Sequence, residues 1–420
     1  MAISSHLLSF EKYKGEHFVQ YWNIAYGIPE LIDKCGFDAI VFHFTFFLPN
    51  INSSFESSFS KWGPLKKCNL PKFAMIQDEY VNTLSLCHFL KEFGVCHVFT
   101  CLPSSLWQTV YPNAKSGVTD FTQVLTGYID ELMLANYGSR HIPHNRRTID
   151  IGYRARKVPF NLGKHGTYKW LLTEKILDSS TTLRLDVSND PNEFIFGQSW
   201  FDFVQQCRIM PGCEGGTSLH DPDGKLRTKV NEFVLNHPSA NFEETEQECF
   251  RNQDLKFPYY ALSPRHFEAA ISKTCQILIE GEYNGVFVAG KHYIPIKKDW
   301  SNLKEVLTLC ENIEYCEQIA ENAYRDIAMN KSYSYSYFVQ EVFNVIQTKI
   351  QAKNGLNAEE IANSNKLQHY HINPFQFAPF LVLKNLSIEW TKQIIFKFGI
   401  DKAKWFKWIE LKLIGSNSVR

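Results

Sequence analysis

The sequence has no uncharged apolar run of about 18 residues, the length a bilayer-spanning helix needs, so no membrane span is expected. Its opening residues, MAISSHLLSF, lack the basic region and apolar core of a secretory leader, and a soluble cytoplasmic protein is the expectation. Net charge is also missing. The 44 Lys and Arg are balanced by 44 Asp and Glu, so there is no whole-protein basic field to hold nucleic acid. Eleven cysteines are scattered, with Cys96 and Cys101 in one short segment, but no CxxC or Cys/His pair has zinc spacing. They read as reduced thiols packed as small apolar side chains. What the chain does have is 44% hydrophobic residues over 420 positions, enough to bury a large core and to build two or three domains.

Short apolar runs alternate with amphipathic stretches through the first 150 residues. FDAIVFHFTFF (37–47), KFAMIQDEY (72–80) and VCHVFTCL (95–102) read as buried parallel strands, being rich in Val, Ile and Phe and too short for helices. VNTLSLCHFLKEFG (81–94) reads as a helix stopped by Gly94. The polar stretch YGSRHIPHNRR (137–147) reads as an interdomain linker. The alternation then restarts: strand 148–156, helix 167–178, strand 181–188, helix 199–207, and a strand with its turn over 208–216. Residues 217–262 read as a charged insertion with some helix. A helix, the strands CQILIEG and YIPI and two further helices follow, and 332–346 continues helically. Two successive α/β units of similar size imply twin Rossmann-like domains, each a parallel sheet covered by helices.

The most informative segment is ALSPRHFEAAISKTCQILIEGEYNGVFVAGKHYIPIKKDWSNLKEVL (261–307). Ser263 suits an N-cap, and Pro264 the first helical position, where its missing N–H is not needed. The amides that follow point out of a positive helix start, where Arg265 adds a cation: a ready anion site. Glu268 lies one turn further on, placed to accept hydrogen bonds from a sugar ring beside a bound phosphate.

These residues resemble the C-terminal half of group 1 glycosyltransferases of the GT-B fold, in particular the branch similar to the spore-maturation protein CgeB. The matching pattern is Ser263, Pro264, Arg265, Glu268 and Ala269; then Glu280 and Gly281; then Gly290; then Asp299, Ser301, Asn302 and Leu303. The resemblance is strong over about 148–345, rests on strand order alone over 1–147, and is absent from 355–420. It implies that Glu268 binds the nucleotide ribose and that Ser263 and Arg265 bind the diphosphate. It also implies a second glutamate against the transferred sugar. Here that is Glu214 in PGCEGGTS, beside Gly215 and Gly216, a departure from the usual spacing because the long insertion intervenes. A further implication is a basic turn after the first strand of the second domain, supplied by Arg154, Arg156, Lys164 and Lys169. Arginine suits this place because its planar fork holds two phosphate oxygens.

In the first domain His43, Asp78 and Glu79 follow strands, and ligands in open parallel sheets bind beyond the carboxyl ends of strands. These three are acceptor-side candidates. Asp221 and Asp223 in HDPDG have the D-x-D spacing that holds a metal in another glycosyltransferase fold, and equally form an ordinary Asp-Pro-Asp-Gly turn. The tail WTKQIIFKFGIDKAKWFKWIELKLIG (390–415) interleaves aromatics with lysines, as suits either an anionic membrane surface or a docked terminal helix.

The expectation is therefore an α/β, GT-B-like protein with an acceptor-side domain at 1–147, a nucleotide-sugar domain at 148–335 carrying the insertion 217–262, and helices and a basic aromatic tail at 336–420. The expected activity is metal-independent, retaining glycosyl transfer from a nucleotide-sugar to a glycan or lipid-linked hydroxyl, as in polysaccharide biosynthesis. Glu214, Arg156 and Arg265 are the catalytic candidates. Lys164, Lys169, Arg154, Gly215, Gly216, Ser263, Pro264 and Glu268 are the donor-binding set. The nucleotide-sugar is a co-substrate, and no cofactor, metal or nucleic acid is called for. Two other readings stay open: a metal-dependent transferase using Asp221 and Asp223, and a non-catalytic nucleotide- or sugar-binding protein.

Overall fold

The computed structural model describes residues 2–22, 32–47, 55–138 and 140–350. The expected aromatic tail at 390–415 lies outside the described residues. Four strands form the first sheet: β1 (Ile40–Phe42), β2 (Lys72–Ile76), β3 (Val95–Thr100) and β4 (Phe121–Gln123). They are all parallel, in the order β1-β2-β3-β4. Every residue of β2 is buried, as a strand covered on both faces requires. Thr83–Glu92 is the crossover helix between β2 and β3, and Gly94 follows it at φ 65°, the left-handed stop that glycine tolerates. Aromatic rings fill one side of this sheet; Phe89 and Phe93 stack 4.4 Å apart against Phe59 and Trp62. The run 37–47 forms only the short β1, then tightens into a 3₁₀ turn at Phe44–Phe46 that His43 starts.

The second half begins with β5 (Ile149–Arg154), β6 (Leu185–Ser188) and β7 (Cys207–Gly212). A small antiparallel ribbon follows, β8 (Gly215–Thr217) against β9 (Tyr259–Ala261), and then β10 (Cys275–Ile279) and β11 (Ile294–Ile296). The sheet is parallel with order β11-β10-β7-β5-β6. The strand order switches sides at β5, with β6 next to it on one side and β7 on the other, and sheets of this kind bind ligands beyond the carboxyl ends of the strands at such a point. Two parallel α/β halves facing one another is the architecture expected from the sequence.

The stretch 137–147 is docked rather than free. Arg147 is buried and donates to Ile142 O (2.7 Å), Cys207 O (2.7 Å), Thr274 Oγ1 (2.8 Å) and Ser272 O (2.9 Å). One guanidinium thus satisfies several buried acceptors, the Ile142 and Ser272 carbonyls among them. The insertion contains the helices Lys225–Asn236 and Phe242–Cys249 around a small core of Leu219, Val230, Phe242 and Phe250.

Contacts at several places tie the halves together. Asp221 N donates to Tyr80 O (2.7 Å), and Asn82 N and Leu84 N donate to Asp221 O and Pro222 O (2.8 and 3.0 Å). The helix Tyr335–Lys349 packs on Ala2–Lys12 of the first half, and Lys349 pairs with Asp120 at 3.0 Å. Among the described residues no helix is long and apolar enough to cross a membrane.

Candidate functional site

A cavity of about 230 Å³ lies between the halves, beside the β8–β9 ribbon of the second. Gln77, Asp78 and Thr126 line it from the first half, together with Ile3 and Phe44. Lys169, Gly215, Gly216, Ser263 and Pro264 line it from the second. The helix Pro264–Ile271 therefore opens onto a gap between the halves. Ser263 has the extended backbone of an N-cap (φ −83°, ψ 139°), yet its side chain makes no capping bond, which leaves the hydroxyl available to the cavity. Thr126 Oγ1 donates to Leu262 O just before this start, fixing the first half against it.

The four basic candidates separate cleanly. Arg154 is consumed by structure: it bonds Asp186 Oδ1 (2.6 Å), Asp186 O (2.7 Å) and Glu193 O (3.0 Å), and covers the Phe203 ring. Arg156 is exposed, with its field reaching Tyr80 across the gap. The Lys164 side chain is exposed and does not line the cavity, while its backbone N–H is held by Asp254 Oδ2 at 3.0 Å. Gly163 starts that helix at φ 69°, and a Cβ there would lie 2.2 Å from Ser218 Oγ and 2.3 Å from Asp254 Oδ1. The insertion's own carboxylate thus occupies this second helix start. Lys169, one turn further on, does line the cavity and makes no ion pair among the described residues.

Arg265 lies beside Ser263 and Pro264. Its guanidinium carbon is 5.2 Å from the ring centres of both Tyr153 and Trp200, and Nη1 donates to Arg154 O at 2.9 Å. Glu268 Oε2 accepts the Trp200 indole N–H at 2.7 Å. Burial pushes the Glu268 carboxyl upward, with the indole bond and the Arg265 charge opposing.

Glu214 is buried beneath the ribbon rather than open to the cavity: Oε1 accepts Tyr283 N at 2.7 Å. Burial raises its carboxyl, and the Tyr283 amide and Lys298 pull it back. It fixes the turn after β10, whereas its neighbours Gly215 and Gly216 form the cavity floor. Gly216 has φ 96°, and a Cβ there would meet Tyr259 O at 1.9 Å, so only glycine lets β8 lie on β9.

On the first half, Asp78 lines the cavity in a left-handed conformation (φ 59°). Surrounding protein raises its carboxyl, and Lys169 on the facing wall lowers it. Its neighbour Glu79 points the other way, into the sheet. There it accepts from Thr100 Oγ1, Tyr111 OH (2.5 Å) and Cys101 N (3.2 Å), and burial pushes its carboxyl up to about 8. His43 is also turned inward. Thr45 N donates to its Nδ1 at 3.3 Å, so Nε2 carries the proton and donates to His6 Nδ1 at 2.9 Å. Burial and the adjacent His6 lower its pKa, keeping it neutral. Of the three acceptor-side candidates, the cavity receives Asp78.

The aspartates of HDPDG serve the insertion. Asp221 is buried and accepts Leu226 N (3.1 Å) and Arg227 N (2.8 Å), while Asp223 pairs with Lys225 at 2.5 Å. Both work at the start of the helix Lys225–Asn236, as carboxylates at a helix N-terminus do. Among the described residues no group of three or more His, Cys, Asp or Glu is arranged to hold a metal ion. Sequence reasoning missed Trp200, Gln77 and Thr126. Trp200 looked like one more apolar position of the helix Gln198–Gln206, and nothing in its spacing signals a partner 68 residues away.

No family model matches the chain, and no curated protein matches it. Among solved structures it is similar to TarM, with 12% identity over 73% of this chain and 54% of that one, at a TM-score of 0.37. It is also similar to Anabaena Alr3699/HepE in complex with UDP-glucose, with 10% identity over 74% and 79% of the two chains, at a TM-score of 0.38. A third is an alpha-glucosyltransferase in complex with UDP-glucose and DNA containing an abasic site, with 10% identity over 74% and 80%, at a TM-score of 0.39. The chain spans about half the length of TarM.

Proposed function

We propose that this chain transfers a glycosyl group from a nucleoside diphosphate sugar to an acceptor hydroxyl. The observation that carries the reading is a cavity between the halves. Into it open the start of the helix Pro264–Ile271 and the Lys169 ammonium from one half, and the Asp78 carboxylate from the other. Positive groups on one wall suit a diphosphate. A carboxylate on the other suits the hydroxyls of a sugar acceptor.

As the bond from the anomeric carbon to the phosphate oxygen lengthens, negative charge builds on the departing diphosphate. Lys169 and the helix start at Ser263, which line the cavity, would receive it, with Arg265 next to them in the chain. Such preorganised charge stabilises the transition state more than the bound substrate. Metal independence is part of the proposal, since these groups supply the positive charge that a metal would otherwise bring. Retention of configuration and a place in the CgeB-like branch are what the Ser-Pro-Arg-x-x-Glu-Ala resemblance implies. The acceptor class proposed is a glycan or a lipid-linked sugar. Peripheral contact with an anionic membrane through 390–415 is proposed from the sequence alone, and flotation with anionic vesicles tests it.

The function is tested by thermal-shift screening with UDP, GDP, CMP and dTDP, since a ligand of the folded state raises the melting point by mass action. Assay of donor turnover with and without chelator follows. Glu268→Ala is expected to weaken the stabilising nucleotide by about 1–3 kcal/mol by calorimetry, the scale of a hydrogen bond to a charged group. Loss of turnover to chelator, restored by manganese, would instead favour Asp221 and Asp223. Tight binding without turnover would favour a non-catalytic binding protein.

A further inference from the structure

Trp200 touches both side chains that the proposed donor site assigns to the nucleotide. Its indole N–H donates to Glu268 Oε2 at 2.7 Å. Its ring face lies 5.2 Å from the Arg265 guanidinium carbon, which Tyr153 covers from its own side at the same distance. The guanidinium is further held by Arg154 O at 2.9 Å and makes no ion pair among the described residues. Aromatic contacts of this kind restrain an arginine while leaving donors available. Glu268 is held on one oxygen only: no hydrogen bond engages Oε1 among the described residues.

The physical consequence for Glu268 is specific. Burial favours the neutral acid, and the indole N–H, followed by Arg265, leads the groups that favour the carboxylate. Anchoring one oxygen also removes rotation of the carboxylate about its last bond, a freedom that a ligand would otherwise have to freeze. The result is a carboxyl group with one oxygen anchored and the other uncommitted, about one helical turn from the helix start at Ser263.

Resting on the nucleotide-sugar reading above, we infer that Trp200 is a positioning residue for ribose recognition: it holds Glu268 oriented to accept the ribose 2′ and 3′ hydroxyls. The same ring restrains Arg265 beside the diphosphate. Recognition of the sugar diol and grip on the phosphates are therefore coupled through one indole. The donor class that fits is a ribonucleoside diphosphate sugar, distinguished from its deoxy counterparts by this carboxylate.

Trp200→Phe tests this, because phenylalanine keeps a ring over Arg265 and deletes the N–H. UDP and 2′,3′-dideoxy-UDP are titrated calorimetrically into the parent and the variant, with GDP and its dideoxy counterpart in parallel. The expected result is about a ten-fold loss of UDP or GDP affinity on substitution, with the dideoxy ligands bound equally by both proteins. Trp200→His, which restores a ring N–H, is expected to recover part of the loss, and it also serves if the phenylalanine variant does not fold. Equal losses for ribo and dideoxy ligands would reduce Trp200 to packing and overturn the inference. So would unchanged UDP and GDP affinity in the folded variants. A parent protein that binds no nucleoside diphosphate would be a different failure, since it removes the donor site itself and this inference with it.

Discussion

Glu79 offers the sharpest test of the electrostatics behind the first-half wall of the cavity. It is 1% exposed, has no cation beside it, and is held only by Thr100, Tyr111 and the Cys101 amide. Desolvation outweighs those three bonds and pushes its carboxyl from 4.5 to about 8. The sign follows from linkage. Above the unfolded value the native state binds the extra proton, so Glu79 contributes most below about pH 4.5, and that contribution is lost as pH rises through about 8. At about 1.4 kcal/mol per pH unit over that window, the loss between about pH 5.5 and about pH 8.5 amounts to ~3 kcal/mol. Glu79→Gln removes the titration while keeping the shape: its amide NH₂ can donate toward the Thr100 and Tyr111 oxygens and its carbonyl can accept from Cys101. The buried histidines His6, His43 and His266 have lowered pKa values and act in the opposite direction, but they cancel in a comparison of variant with parent. The assay is melting temperature against pH for the two proteins. The variant's advantage is expected to widen with pH by several degrees, at about 2–4 °C per kcal/mol for a domain of this size. A gap that stays constant with pH would refute the reasoning, because Glu79 would then be ionised throughout.

Three further outcomes follow from individual contacts. Gly216→Ala places a methyl 1.9 Å from Tyr259 O and should open the β8–β9 ribbon, lowering both the melting temperature and nucleotide affinity; normal affinity would show that the ribbon is not the floor of the donor site. Arg147→Met strands the carbonyls of Ile142 and Ser272 and is expected to cost about 3 kcal/mol in denaturant unfolding, with nucleotide affinity unchanged in whatever protein remains folded. Asp221→Ala removes the acceptor for Leu226 N and Arg227 N and should cost about 1 kcal/mol of stability without making turnover respond to manganese.

Some of this was legible along the chain. The apolar run of β2, the glycine stop at Gly94 and the Ser263–Pro264 helix start are local signals, because burial on both faces, a left-handed residue and a missing N–H each act within a few residues. Alternation of such signals was enough to determine two parallel α/β halves. Which side of a strand's end a carboxylate takes is not local. Asp78 and Glu79 are adjacent, yet one enters the cavity and the other is drawn into the core by Thr100 and Tyr111, residues from other elements. Among Arg154, Arg156, Lys164 and Lys169 the sequence offered four equivalent charges. Asp186 and Asp254, distant in the chain, engage two of these residues, and the cavity receives Lys169. Periodicity and turn chemistry belong to the chain itself, so the sequence determined the elements and the helix start. Desolvation and pairing depend on what folds alongside, so only the tertiary structure decided which side chains are free to meet a ligand.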